Sequence, residues 1–180
     1  SNDIIQRGEN MNLSSIKQLK LGLISATLLT AVSASFLAPA FADEDVKLTV
    51  EIKRLSAEAA ISVAQAAMLE CRKQGYQATA TVADKNGIIQ AVARDTLAPP
   101  VSIGISKEKA YTAVNFSADT SSMEARQNTA IGNVEGVVMS AGGAVINVGG
   151  TIYGAVGVSG APSGETDEAC AKAGVAAIAE

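Results

Sequence analysis

The chain has 180 residues, 14 basic and 18 acidic side chains, no histidine, no tryptophan and a formal charge of −4. An acidic, mixed surface argues against nucleic acid and anionic membrane as partners, and the missing histidine excludes a nucleophile–histidine–acid triad. Hydrophobic residues make up 48% of the chain but aromatics only 3%, so any core is built from small side chains.

From Met11 the chain reads as a secretory leader, with residues 1–10 set aside as sequence upstream of it. Lys17 and Lys20 form a basic segment, Leu21 to Leu37 an uncharged apolar run, and Ala40-Phe41-Ala42 an A-x-A cleavage box behind Pro39. The rival reading of the run is an uncleaved membrane anchor. Cleavage after Ala42 would deliver the protein to the periplasm or the exterior. The remaining domain would carry eleven bases and sixteen acids, since Arg7, Lys17, Lys20, Asp3 and Glu9 leave with the leader.

Residues 43–54 are a charged lead-in, short and extended, and the domain proper covers 55–180. A first helix starts at the Ser56 cap with Glu58 in its first turn. Its apolar face is Ala60, Ile61, Ala64, Met68 and Cys71, and Gly75 stops it. Gln77–Ala83 and Ile88–Arg94 form a hairpin, with Asn86-Gly87 supplying positive φ angles. Asp95–Ser102 is loop because of Pro99-Pro100. A second helix follows, capped by Ser102 or Ser106, with Ala110, Ala113 and Val114 inward. Thr120–Asn128 reads as a short polar helix and Val134–Ser140 as strand or loop. Ala144–Val148 and Thr151–Ser159 pair across Gly149-Gly150, and a last helix runs from about Thr166 to Ala179.

Tight turns make antiparallel neighbours, and the chain lacks a repeating βαβ crossover. The expected fold is α+β: a single domain with an antiparallel sheet of about five strands flanked by helices. Alanine- and glycine-rich strands bury little side-chain area, so part of the stability is expected from self-association. Cys71 and Cys170 both fall on apolar helix faces. An oxidising compartment permits a disulfide between them, and buried free thiols are the other reading.

Val82-Ala83-Asp84-Lys85-Asn86-Gly87 with Arg94, the run Lys109-Ala110-Tyr111-Thr112-Ala113, Gly142-Gly143, and Gly154 to Gly160 with Asp167-Glu168 occur in this order. Together they resemble the GlcG/HbpS-like family, known as haem-binding or haem-degrading, over Leu55 to Ala179. The resemblance implies a compact α/β subunit that assembles into dimers or larger rings and, in some members, binds haem.

Haem iron is held by His, Met, Cys or Tyr, so without histidine the candidates are Tyr76, Tyr111 and Tyr153 or Met68, Met123 and Met139. Tyr111, in the signature helix, is the expected metal ligand, with a core aromatic as the opposing reading. Arg94 and Lys109 are candidates for haem propionates or a small carboxylate, against a solvated or intersubunit ion pair with Asp84 or Asp167. Thr112 can bond a ligand or its own helix carbonyl. The loop Ser159–Gly164 can cradle an anion or let backbone approach a neighbouring chain, and Glu165, Asp167 and Glu168 weigh against phosphate there. Three functions stay open: an exported haem- or tetrapyrrole-binding oligomer for sequestration or sensing, an enzyme or accessory protein acting on a small organic acid, and an assembly module without ligand. No catalytic residue is assigned.

Overall fold

A computed structural model describes residues Lys47–Ala179. The leader and its cleavage box lie outside the described residues. Helix α1 spans Ala57–Lys73; the Ser56 hydroxyl accepts from the Ala59 amide, Glu58 sits in the first turn, and Arg72 and Lys73 sit in the last. Its buried stripe is Ala60, Val63, Ala64, Ala67, Met68 and Cys71. Ile61, expected on that stripe, is exposed. It stands about 100° of helix rotation from Ala60, and Val63 and Ala67 take its place.

Strands β1 (Thr79–Asp84) and β2 (Ile89–Arg94) form the first hairpin. Of the Asn86-Gly87 pair, only Gly87 has positive φ, at 78°. The connection is a wider loop folded on Asp84, whose Oδ1 accepts from the amides of Asn86 and Ile88 at 2.9 Å each.

Helix α2 spans Val101–Phe116 and begins directly after Pro100. Neither Ser102 nor Ser106 caps it. Both face inward, where Ser102 Oγ meets Thr79 Oγ1 at 2.6 Å and Ser106 Oγ meets Thr81 Oγ1 at 2.8 Å. Burying hydroxyls on both sides of this contact requires such pairing. The expected inward residues Ala110, Ala113 and Val114 are buried. Thr120–Arg126 is a 3-10 helix and Ile131–Asn133 a shorter one, while Val134–Ser140 is loop.

Strands β3 (Gly143–Val148) and β4 (Thr151–Ser159) turn at Gly149 (φ 59°) and Gly150 (φ 80°), the conformation a two-residue hairpin needs. Helix α3 spans Gly164–Ala176, with Ser163 Oγ accepting from the Thr166 amide, so it starts slightly earlier than the sequence pattern placed it.

The sheet has four strands in the order β2-β1-β4-β3, antiparallel throughout. Helices α1 and α3 pack on each other and cover one face; α2 lies on the other, across β1, β3 and β4. The core between α1, α3 and the sheet is Val63, Val82, Ile146, Val156 and Val158 with many alanines. Among the described residues no helix is long and apolar enough to cross a membrane.

Cys71 of α1 and Cys170 of α3 are bridged, with Cα atoms 5.5 Å apart and a sequence separation of 99. Closing a loop of that length constrains the unfolded chain by about 4–5 kcal/mol in the chain-entropy treatment. The Cys71→Ala/Cys170→Ala double variant should therefore lose about 4 kcal/mol of unfolding free energy in urea titration. A loss below about 1 kcal/mol would show that the bridge does not restrain the unfolded chain in this way.

Candidate functional site

Helix α2 carries most of the residues singled out in the sequence, and its geometry divides them between two faces. Lys109 points inward and is only 4% exposed. Its ammonium donates to the Val158 carbonyl at 3.1 Å and to Asp167 Oδ2 at 3.0 Å, joining α2 to the end of β4 and to the first turn of α3. Gly142, at φ 126°, makes room for it, because a Cβ there would collide with Nζ. Of the two partners open to Lys109 in the sequence, the structure supplies Asp167, as a buried pair within the chain and not as a solvated or intersubunit one; Asp84 is instead bonded by Arg54 at 2.7 Å.

Burial pushes the Asp167 carboxyl above the ordinary aspartate range, and the Lys109 charge and the Ala161 amide offset this only in part. Its neighbour Glu168 behaves oppositely. Burial raises it too, but donors from Lys172 (2.8 Å), Ser121 Oγ (2.7 Å), Ser121 N (3.0 Å) and Gly142 N (3.3 Å) outweigh that and hold it below its ordinary value. Glu168 thus fixes the start of the Thr120–Arg126 turn and the approach to β3. In the loop Ser159–Gly164, the Ala161 amide is bonded to Asp167 Oδ1, and Gly160 and Gly164 lie against the backbone of Gln77–Ala78 and of Ala141. That loop serves close packing within the chain.

Thr112 is buried, donates to the Glu108 carbonyl at 2.8 Å and accepts from the Val138 amide at 2.8 Å. It anchors the loop that approaches Tyr111. Arg94 donates to the Ala98 carbonyl. It lies opposite Thr79, which bonds Ser102 in the first turn of α2. Tyr111 is nine residues further along that helix, roughly 13 Å of rise, so Arg94 and Tyr111 lie toward opposite ends of it.

Tyr111 points outward, with 37% of its surface exposed. Tyr76 and Tyr153 pack against the core, and Met68, Met123 and Met139 are buried. The ring rests against the β1–β2 turn: a Cβ at Gly87 would come within 2.8 Å of Tyr111 Cδ2. With Lys107, Glu108, Glu135 and Gly136 it lines an open depression of about 260 Å³. Sequence reasoning missed Lys107 as a site residue, although it precedes Tyr111 by one helical turn. Glu135 and Gly136 come from an irregular loop with no periodic signal. Among the described residues no cluster of three or more His, Cys, Asp or Glu can hold a metal ion.

The Tyr111 face can offer a phenol oxygen, an ammonium and aromatic surface to one ligand. The Lys109 network can hold three elements together. Removing only the lysine leaves a buried carboxylate alone, a change that costs about 3–5 kcal/mol. Lys109→Met should show that loss in urea titration, and adding Asp167→Asn should recover part of it. No recovery would mean that the uncompensated charge is not the cause.

Glu168 yields a pH expectation. Its folded-state value lies below the ordinary one of about 4.5, so the stability it contributes is present above about pH 4.5. That contribution disappears as pH falls through the folded-state value. Glu168→Gln should lower stability at neutral pH by about 2 kcal/mol and flatten the decline below pH 4.5. An unchanged acid limb would place that decline on other carboxylates. Asp167, shifted upward, contributes with the opposite sign and is lost as pH rises.

The haem-degrading HbpS-like family profile matches residues 55–176. No curated protein matches the chain. The fold is shared with the crystal structure of HbpS, at 33% identity over 74% of this chain and 96% of that one, with a TM-score of 0.70. A double mutant of HbpS from Streptomyces reticuli is 34% identical over 73% of this chain and 92% of that one, at 0.69. A PduOC:heme complex is 25% identical over 70% and 96%, at 0.64. From its Ser56-capped first helix to α3, this chain belongs to the HbpS-like family.

Proposed function

We propose that this is an exported haem- or tetrapyrrole-binding protein that works as an oligomer, in sequestration or sensing, with the ligand on the Tyr111 face of α2. The carrying observation is that Tyr111 presents its ring beside a lysine in a depression, whereas Tyr76 and Tyr153 pack against the core. A phenol is an established type of haem ligand, and Lys107 is placed to meet a propionate. The residues therefore fit haem in donor chemistry. At about 260 Å³ and open to solvent, the depression is smaller than the roughly 300–1,000 Å³ of enclosed ligand pockets. A second subunit supplying the missing wall accords with an oligomer.

Bound haem would contribute a redox-active iron. The protein's part is to hold and shield it: Tyr111 toward the metal, Lys107 at the acidic edge, and Thr112 keeping the Val138 loop against the helix. Membership of the haem-degrading HbpS-like family and likeness to a haem complex support the reading. Arg94 and Lys109, offered by the sequence to haem propionates as well as to a small carboxylate, both already have partners within the chain, so the haem reading takes Lys107 in their place and the small-acid reading loses its cations.

Titrating untagged protein with hemin should give a saturable Soret shift at one haem per subunit or per dimer. Tyr111→Phe should abolish that shift, and Lys107→Ala should weaken binding about tenfold, roughly one charge-assisted contact. Unsaturable drift in the wild type would remove haem as the ligand. Saturable binding unaffected by Tyr111→Phe would remove Tyr111 as the iron ligand.

A further inference from the structure

The two outer edges of the sheet are treated differently. On β3, the Gly143 amide donates to Thr120 Oγ1 at 2.8 Å and the Val145 amide to Asp119 Oδ1 at 3.0 Å. That edge is closed by side chains of the neighbouring turn. On β2, the Asp95 amide bonds the Ala78 carbonyl, which faces β1. By the alternation of an antiparallel ladder, the backbone groups of Val92 and Arg94 face away from it. No described side chain bonds those amides. Val92 lies opposite Thr81, hence on the α2 side of the sheet, yet it is 47% exposed because α2 covers β1, β3 and β4. Ile89, Leu97, Val101 and Ile103 are exposed as well. An open edge beside apolar surface invites another strand.

The chain also carries a segment with the pattern of such a strand. Lys47-Leu48-Thr49-Val50-Glu51-Ile52-Lys53 alternates polar and apolar residues strictly, in the two-residue period of a half-buried strand. It belongs to no helix or strand, and Leu48, Val50 and Ile52 are 97%, 78% and 60% exposed. At about 3.3 Å per residue its seven residues match the length of β2. Its root is fixed, by Arg54 on Asp84 at 2.7 Å and by Gln90 Nε2 on the Leu55 carbonyl at 3.0 Å. From that root, the exposure of all three apolar side chains shows that the arm does not lie along its own β2.

We infer that the Lys47–Lys53 arm of a second copy of this chain adds as an edge strand to β2, with the exchange made reciprocally. Main-chain pairing supplies the attachment, and the Leu48–Val50–Ile52 row covers the apolar surface around Val92. A reciprocal exchange uses the same two surfaces on both copies and closes as a two-fold dimer. The inference concerns assembly and not ligand, so it can fail while the haem reading stands, and the reverse.

The test mixes two full-length single-cysteine variants, Ile52→Cys and Val92→Cys, one of them enlarged by a tag, and adds a short bis-maleimide. The native cysteines are bridged to each other and leave the added thiols to report. The expected product is a covalent dimer holding one chain of each variant. In parallel, Val50→Pro, which breaks up an extended pairing segment, and Val92→Lys, which charges the exposed edge, should each move the protein to monomer in sedimentation while circular dichroism stays unchanged. The inference is overturned by an absent mixed dimer, by assembly that survives both substitutions, or by a wild type that sediments as monomer. Cross-linking only within one chain of a double-cysteine variant would assign the arm to its own β2 and overturn it equally.

Discussion

The backbone contact between Gly157 of β4 and α2 governs the placement of the rest. A Cβ on Gly157 would collide with the Ser106 carbonyl and crowd the Ala110 amide, so the helix lies directly on the strand. At that spacing there is no room for a layer of large side chains between helix and sheet. Short hydroxyls fill it instead, as Thr79–Ser102 and Thr81–Ser106 pairs, together with Ala113 and Ala155. The same closeness brings the Lys109 ammonium within reach of the Val158 carbonyl on the neighbouring backbone. A chain with so few aromatics can fold compactly because its elements approach closely, and not because it fills wide gaps.

Once α2 is seated this way, its outward residues follow from helical geometry. With Lys109, Thr112 and Ala113 directed inward, Lys107, Glu108 and Tyr111 share the opposite face. The β1–β2 turn reaches over that face with a glycine at the point of contact. Gly87 therefore meets two demands at once, the positive φ of the turn and the closeness of the Tyr111 ring. The inward network and the outward depression are two sides of one helix. The buried ion pair stiffens the base on which the exposed phenol stands.

Much of this was legible in the sequence wherever a single local cause acts. Ser56 and the spacing of Ala60, Ala64 and Cys71 mark α1, and Gly149-Gly150 marks a two-residue turn, because caps and turns are decided by a few neighbouring atoms. Ser102 and Ser106 show where local logic ends. Beside Pro100 they have the character of caps, but their partners are threonines more than 20 residues away in β1. The helical spacing of Ile61 with Ala64, Met68 and Cys71 points it inward, yet the stripe runs through Val63 and Ala67 because α3 packs there and brings Gly174 against Val63 and Ala67. For the site, Tyr111 stood in a recognisable motif, while Glu135 and Gly136 reach it through a loop that no periodicity announces.

The unequal edges of the sheet connect fold to assembly. A four-stranded sheet with small residues has a limited core, and one side of β2 carries unpaired backbone groups beside exposed apolar side chains. The closed β3 edge shows that the protein has the means to block pairing, with Asp119 and Thr120 in place of backbone partners. Among the described residues no side chain bonds the amides of Val92 and Arg94 in this way. Val134–Ser140, the segment the sequence left open as a further strand, is loop, while a seven-residue segment with strand periodicity, read from the sequence as a lead-in, stands exposed near the strand that lacks a neighbour. An unfilled edge and an unplaced segment of about the same length are complementary, and that complementarity is the physical ground for the exchange inferred between two copies.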